Sequence, residues 1–285
     1  YDLRMIEHHI DIATDDGQMA TFITYPESGG PFPVVLFLID APGKREELHD
    51  MARRISATGY YVVLSNLYYR DVRSFTVHRE DPASTEQMFD LMSNLDNRLV
   101  AQDAAAMLAH ADADAVADAS RAGVTGYCMS GPFALWIAAE FPEVVKSAAS
   151  IHGVRLAVDA EDSPHTRAAE MKGEILVMAA EHDAYVDRAH YDRLVGAFEA
   201  AGTNAHCEWI DGAHHGFVFP NRAKFDKEAA ERVASHIKRF WARKMKEDLV
   251  EYLDAGGAEL DPIAKDAAEQ VKSGMQQAAA TKQAV

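Results

Sequence analysis

Two residues that could act as nucleophiles lie two positions apart in the segment GYCMSG, residues 126–131. A nucleophile on a sharp strand-to-helix turn needs small residues two positions away on each side, because the backbone is crowded there. For Cys128 those neighbours are Gly126 and Ser130, which are both small. For Ser130 they are Cys128 and Pro132, so that frame lacks glycines. Cys128 is therefore the predicted nucleophile, and the competing interpretation is a small core cysteine.

A thiol nucleophile needs a base, and the base needs a carboxylate that orients it. Asp183 closely follows the apolar segment EILVMAA, and the pair His214 and His215 follows AHCEWI within GAHHGF. Loops that follow parallel strands leave the same edge of a sheet, so these groups can meet Cys128 there. The order nucleophile, acid, histidine is one in which such triads occur. The alternative for Asp183 is a helix cap, and His182 beside it is interpreted as a bystander.

The elements that must position these groups alternate along the chain. The predicted strands are RMIEHHIDIAT and QMATFITYP, joined by a turn at Asp15-Asp16-Gly17, then PVVLFLI, YYVVLS, RAGVTGYC, residues 146–152, EILVMAA and AHCEWI. Helical spacing is predicted over residues 45–58, over 85–110 with a break near Asn94, and over 130–141, 187–201 and 222–244. Alternating strands and helices predict an α/β fold with a doubly wound, mostly parallel sheet flanked by helices. Residues 1–244 are predicted to form this domain and residues 245–285 a partly helical or disordered tail.

The composition makes several functional classes of protein less expected. The chain has 285 residues, 28 Lys and Arg against 45 Asp and Glu, and a formal net charge of −17. So acidic a surface repels phosphate backbones and anionic lipid, so neither nucleic acid nor a membrane is an expected partner. Two cysteines and no apolar leader segment in YDLRMIEHHI predict a cytoplasmic protein. No HExxH occurs, and two adjacent histidines are poor metal-ligand geometry, so no metal is expected.

Five segments together resemble the dienelactone hydrolase family: LFLIDAPG, GYYVVLSNLYYR, GYCMSG, AAEHDAYV and GAHHGF. The resemblance implies an α/β-hydrolase fold that cleaves enol lactones and other activated esters without a metal or organic cofactor. Residue by residue, the family's nucleophile falls on Cys128, its acid on Asp183 and its histidine on His215, which directly precedes Gly-Phe. A small-molecule ester or lactone is thus the expected substrate, and a homodimer is compatible with this interpretation.

The resemblance also implies the groups around the nucleophile. The oxyanion hole of this fold uses the amide after the nucleophile, here Met129, and one in the loop after PVVLFLI, here Ala41. Family members carry a glutamate just before the second position that interacts with the thiol, and this chain has the shorter Asp40 as the thiol-activating candidate. The candidates for the substrate pocket are Tyr68, Tyr69, Arg70, Phe75 and Phe219.

The sequence alone does not decide the substrate preference, and it leaves two rival functions open. Arginines that hold a substrate carboxylate in the archetypal enzymes are missing from their motif positions, although Arg70, Arg73, Arg79 and Arg222 are nearby in sequence. This absence predicts a preference for neutral, apolar esters or lactones. The rivals are a serine esterase that uses Ser130, and a non-catalytic small-molecule-binding module on the same fold.

Overall fold

Eight strands form one sheet in the computed structural model, which describes residues 4–235 and residue 237. They are β1 (Met5–Thr14), β2 (Gly17–Pro26), β3 (Phe32–Leu38), β4 (Tyr61–Ser65), β5 (Ala117–Tyr127), β6 (Val145–Ile151), β7 (Glu174–His182) and β8 (Ala205–His214). Their spatial order is β1-β2-β4-β3-β5-β6-β7-β8. Strand β2 pairs antiparallel with β1 and β4, and the other neighbours are parallel. The predicted mostly parallel sheet is confirmed.

Five helices lie between the strands: α1 (Glu46–Ser56), α2 (Pro82–Ser93), α3 (Asn97–Asp112), α4 (Gly131–Glu140) and α5 (Arg188–Ala201). The predicted break near Asn94 separates α2 from α3. Asp81 and Asp96 cap these two helices, because each carboxylate accepts a hydrogen bond from an amide of the first turn. Residues 227–235 are also helical. The predicted tail, residues 245–285, and the end of the last predicted helix lie outside the described residues.

Strands β5 and β8 extend well beyond the sequence pattern, and β7 extends two residues past EILVMAA to His182. Strand β5 begins at Ala117, four residues before the predicted strand RAGVTGYC, in a segment rich in Ala and Asp. It does so because Ala117 pairs with Phe32 at the start of β3, before a register shift. Strand β8 runs on to His214, which pairs with His182 at the end of β7. This second extension carries the loop with His215 to the end of the strand that precedes Asp183.

The sheet centre accounts for most of the core. Every residue from Val34 to Ile39 is fully buried, as expected for a parallel strand covered on both faces. Helix α1 contacts β2 and β4, and α4 contacts β5 and β6. The carboxyl ends of β3, β5, β6, β7 and β8 therefore share one edge, where ligands bind in open α/β sheets. Within the described residues, no helix is both long and apolar enough to cross a membrane.

Candidate active site

Cys128 lies on a tight turn between strand β5 and helix α4. Its φ of 55° is left-handed, a conformation that costs a residue with a side chain on the order of 1–2 kcal/mol. Residues Cys128–Ser130 form a single 3₁₀ turn that leads into the helix. A Cβ on Gly126 would lie only 2.0 Å from the carbonyl oxygen of Ser130, so the turn requires glycine at that position. The backbone thus has the strained, crowded geometry predicted for a nucleophile.

His215 and Asp183 meet at the same edge of the sheet. His215 Nδ1 and Asp183 Oδ2 are 2.7 Å apart, and the two side chains are 15% and 2% exposed. The other carboxylate oxygen, Asp183 Oδ1, accepts a hydrogen bond of 2.9 Å from the amide of Tyr185. Two donors therefore hold the carboxylate in one orientation, and the carboxylate in turn fixes the imidazole ring.

The electrostatics of His215 favour its charged form. Burial by itself lowers the pKa of this histidine, but hydrogen bonds from the ring to Asp183 and to Cys128 outweigh that effect and raise the pKa to about 9. Because Nδ1 faces Asp183, the opposite nitrogen is the one left for the thiol. The structure thus brings together the three predicted residues Cys128, Asp183 and His215.

The neighbouring histidines have different surroundings. The His214 ring lies 4.7 Å from that of His182. His152, which follows strand β6, is 1% exposed, and its ring lies 4.8 Å from that of His215. Burial, followed by the nearby charges of His215 and Arg222, holds the pKa of His152 well below its usual value. His152 therefore stays neutral and does not repel a protonated His215.

Ser130, the rival nucleophile, is fully buried at the start of helix α4. Its hydroxyl donates to the carbonyl oxygen of Ile39, and the Tyr127 carbonyl oxygen is 3.3 Å away. Ile39 directly follows strand β3, so Ser130 connects the nucleophile turn to the loop that carries Asp40 and Ala41. This is a structural role, and it occupies the hydroxyl.

The two residues of the predicted oxyanion hole are bridged by Tyr68. The hydroxyl of Tyr68 donates to the Ala41 carbonyl at 2.9 Å and lies 3.2 Å from the sulfur of Met129. Among the described residues, the Ala41 amide donates no hydrogen bond to a loop or turn carbonyl. Ala41 and Met129 are 5% and 4% exposed, so a charge that develops between their amides would be shielded from water. Tyr68 itself is buried beneath this pair.

Asp40, the thiol-activating candidate, is fully buried between two arginines. Its carboxylate lies 2.5 Å from Arg45 Nη1 and 2.8 Å from Arg222 Nη2. The guanidinium carbons of both arginines lie over the ring of Phe219, at 5.2 and 4.9 Å from its centroid. Asp40 is thus already neutralised by ion pairs, and Phe219 is a buried platform for the arginines and does not line an open cleft.

The other pocket candidates are also placed away from an open cleft. The hydroxyl of Tyr69 lies 2.9 Å from Asp103, and Arg70 forms ion pairs with Asp103 and Asp16. These contacts occupy Arg70 within a separate buried network, so it is not available to bind substrate. Phe75 is 8% exposed and packs edge-on against Tyr68 at 5.9 Å.

Two groups near the triad were not assigned to it from sequence. The ring of Tyr185 is 59% exposed and lies 5.1 Å from that of His215, at the lip of the site. Arg79, which follows β4 in a long loop, makes no hydrogen bond or ion pair with any described residue. Burial and the neighbouring charge of Arg222 lower its pKa, and its field also reaches Cys128. The sequence had already named Arg79 as one of four arginines near the motif positions, but it did not separate Arg79 from the other three.

Comparison with known proteins decides the family. The model of the dienelactone hydrolase family matches residues 19–245. The chain belongs to the dienelactone hydrolase family. A relative from Methylorubrum extorquens, provisionally named carboxymethylenebutenolidase, is 28% identical over 234 residues, 80% of this chain and 77% of that protein. One of the same provisional name from Escherichia coli is 24% identical over 254 residues, 81% of this chain and 90% of that protein.

A solved structure shows the same fold. The protein from Klebsiella pneumoniae, provisionally named dienelactone hydrolase, superposes with a TM-score of 0.75 at 22% identity. The match covers 84% of this chain and 99% of that one. The α/β-hydrolase fold expected for this family member is therefore confirmed. Among the described residues, no cluster of His, Cys, Asp and Glu could hold a metal ion.

Proposed function

We propose that this dienelactone hydrolase family member cleaves carboxylic esters or lactones through a Cys128–His215–Asp183 triad. The observation that carries the proposal is the 2.7 Å contact between His215 and Asp183, together with the effect of Cys128 on the same imidazole. The left-handed backbone at Cys128 supports it, because strain at a residue with a side chain is typical of a functional position.

In the first half of the reaction the thiolate of Cys128 attacks the ester carbonyl. With a pKa of about 9, His215 carries a proton at neutral pH and forms an ion pair with that thiolate. A C–S bond forms, and the amides of Met129 and Ala41 stabilise the negative charge on the former carbonyl oxygen. Collapse of this intermediate breaks the C–O bond, and His215 donates its proton to the departing alkoxide.

In the second half, water hydrolyses the thioester. His215 is now neutral, and it takes a proton from the water as the water attacks the acyl carbon. The C–S bond breaks, the acid leaves, and the thiolate and imidazolium are restored. Asp183 keeps the ring in the orientation in which one nitrogen faces Cys128 throughout the cycle.

An anionic substrate is favoured over the neutral one that the sequence predicts. The aromatic candidates for the substrate pocket are buried, whereas Arg79 is exposed and has no hydrogen-bond or ion-pair partner among the described residues. Its pKa is lowered by partial desolvation of the guanidinium and by repulsion from Arg222 and Arg45, which outweigh the attraction of Asp40, so an anion beside it would relieve unfavourable electrostatics. We therefore propose that Arg79 binds a carboxylate of the substrate ester or lactone.

The test compares two variants of one turn. Cys128→Ala should abolish turnover of p-nitrophenyl acetate and of an enol lactone, because it removes the thiol that interacts with His215. The matched control, Ser130→Ala, should keep turnover and iodoacetamide sensitivity and lose only stability. A Cys128→Ala enzyme that keeps its turnover, or a Ser130→Ala enzyme that loses it in the folded state, would favour the serine esterase. A folded wild type that binds lactones and hydrolyses none would favour the binding module.

A further inference from the structure

The loop after strand β6, residues 152–158, packs directly on the nucleophile turn. The amide of Val154 donates a hydrogen bond of 3.1 Å to the carbonyl oxygen of Cys128. A Cβ on Gly131, the first residue of helix α4, would lie only 2.4 Å from the Cα of Gly153. The two backbones therefore touch without an intervening side chain, and the position of Cys128 depends on where this loop lies.

The backbone of this loop is strained. His152 and Arg155 both have left-handed conformations, with φ of 38° and 54°. Such a conformation is unfavourable for a residue with a side chain, and it persists only where the surroundings hold it. At the start of the loop, the amide of His152 donates to the carbonyl oxygen of Met178 at 2.7 Å. The contacts at the other end therefore decide whether the strained backbone is kept.

An imidazole holds that other end. The amide of Ala157, which is 3% exposed, donates to Nε2 of His190 at 3.0 Å. His190 lies in the first turn of helix α5, where its own amide donates to the capping carboxylate of Asp187 at 2.8 Å. A backbone amide can only donate a hydrogen bond, so Nε2 must present its lone pair and the ring proton must lie on Nδ1. A second proton on the ring would occupy Nε2 and remove this acceptor.

A second contact at the same end passes through a hydroxyl. The amide of Val158 donates to Ser163 Oγ at 3.0 Å, and the same oxygen lies 2.7 Å from His165 Nδ1. A hydroxyl can accept from one group and either donate to or accept from another, so this contact survives protonation of His165. The contact with His190 has no such alternative.

Charged and titratable groups from several elements face His190. They are Asp187 and Arg193 on helix α5, Asp183 after strand β7, and His165 in the segment 164–170. Burial has the largest effect and lowers the pKa of His190 below its usual value; Arg193 acts in the same direction, and the two carboxylates oppose them. Arg193 is itself paired with Asp159, just beyond the loop, at 2.5 Å. The imidazole is therefore neutral at neutral pH and gains its second proton only in mildly acidic solution.

We propose that His190 is a positioning residue whose neutral Nε2 holds the 152–158 loop, and through it the Cys128 turn, in the reactive arrangement. Protonation of Nε2 releases the loop and lowers activity in mildly acidic solution. The inference rests on the proposed function, because it takes Cys128 as the nucleophile whose placement matters. It gives the enzyme an acid-sensitive element that lies outside the triad.

Hydrogen exchange at the Ala157 amide tests the contact without any substrate. The comparison is between wild type, His190→Gln, which keeps an acceptor oxygen that does not titrate, and His190→Leu, which has no acceptor. Between pH 7.5 and pH 5 the protection factor of the wild-type amide should fall at least about tenfold, roughly the effect of one hydrogen bond. His190→Gln should keep its protection at both pH values, and His190→Leu should lack it at both. The amide of Val63 in the interior strand β4 is the internal reference and should not change.

The pH profile of kcat/KM for p-nitrophenyl acetate tests whether the contact positions the nucleophile. At pH 7.5, His190→Leu should lower kcat/KM about tenfold or more, and His190→Gln should restore it to within about threefold of wild type. At pH 5, the share of the pH 7.5 activity that remains should be at least about threefold larger in His190→Gln than in wild type.

Several results would overturn the proposal. Wild-type protection that does not change with pH would show that protonation of His190 does not release the loop, and an equal fall in His190→Gln would assign the release to another group, such as His165. Altered exchange without altered kcat/KM would reduce His190 to a structural contact and leave the hydrolase assignment intact. If the folded wild type turns over no ester, the proposed function fails and positioning in catalysis fails with it, while the exchange data still decide whether Nε2 holds the loop.

Discussion

Replacing Asp183 with asparagine tests the centre of the proposed mechanism. The change keeps the shape of the side chain, and its Oδ1 can still accept the hydrogen bond from the amide of Tyr185. It removes the negative charge 2.7 Å from His215 Nδ1, and it places either an amide donor or a neutral oxygen there. The imidazole thus loses its main stabilising partner and the contact that fixes its tautomer.

The magnitude follows from the pKa of His215. The rise from 6.5 to about 9 corresponds to about 3 kcal/mol of preference for the charged ring, much of which comes from Asp183. Without the carboxylate the pKa of His215 should fall, because burial is then opposed only by the interaction with Cys128. Three kcal/mol corresponds to about 150-fold in rate, and loss of the correct tautomer in a serine triad costs about 10⁴-fold. We expect kcat/KM to fall between about 10² and 10⁴-fold at neutral pH.

Two measurements check this expectation: the pH profile of kcat/KM for p-nitrophenyl acetate, and an NMR titration of the His215 ring in both proteins. The reasoning would be refuted by an Asp183→Asn enzyme that keeps more than a tenth of its activity while His215 still titrates near pH 9. A folded variant with a normal His215 pKa and unchanged turnover would equally show that the ion pair does not act in catalysis.

Stability should depend on pH in a direction fixed by the same shift. A pKa that is higher in the folded than in the unfolded state adds stability that is fully present below pH 6.5 and is lost as the pH rises through about 9. Denaturant unfolding of wild type and Asp183→Asn should therefore differ most at pH 6, by less than the full value of about 3 kcal/mol because Cys128 supplies part of the shift, and should converge above pH 9 to 10. A difference that grows with rising pH would contradict the assignment.

The remaining predictions concern single positions. His215→Ala should lower kcat/KM at least about 10²-fold, whereas kcat/KM of His214→Ala should stay within about twofold of the wild type. Equal losses would mean that the wrong histidine is assigned. Gly126→Ala should lower the free energy of unfolding in urea by about 3 kcal/mol or more. The control Gly196→Ala, whose added Cβ meets nothing within 4 Å, should not lower it. Equal effects of the two substitutions would contradict the crowded turn. Arg79→Gln should lower kcat/KM about tenfold for a carboxylated ester and leave its neutral counterpart unchanged, and no difference between the two would reject the anion site.

The sequence by itself determined the fold class, and it named the three residues of the proposed triad. A run of apolar residues such as 34–39 can be satisfied only by burial on both faces, and strands alternating with helices allow few topologies. The elbow was readable because its backbone crowding forces small residues at fixed spacing, and this constraint is local. The break between α2 and α3 was visible for a similar reason, since residues that cap helices favour particular positions.

Only the tertiary structure decided what surrounds the triad. Arg45, Arg79 and Arg222 come from three distant loops, and linear spacing holds no information about which loops meet at one edge of a sheet. Tyr69 and Arg70 have the residue types of a substrate pocket, but burial and ion pairing with Asp103 assign them elsewhere.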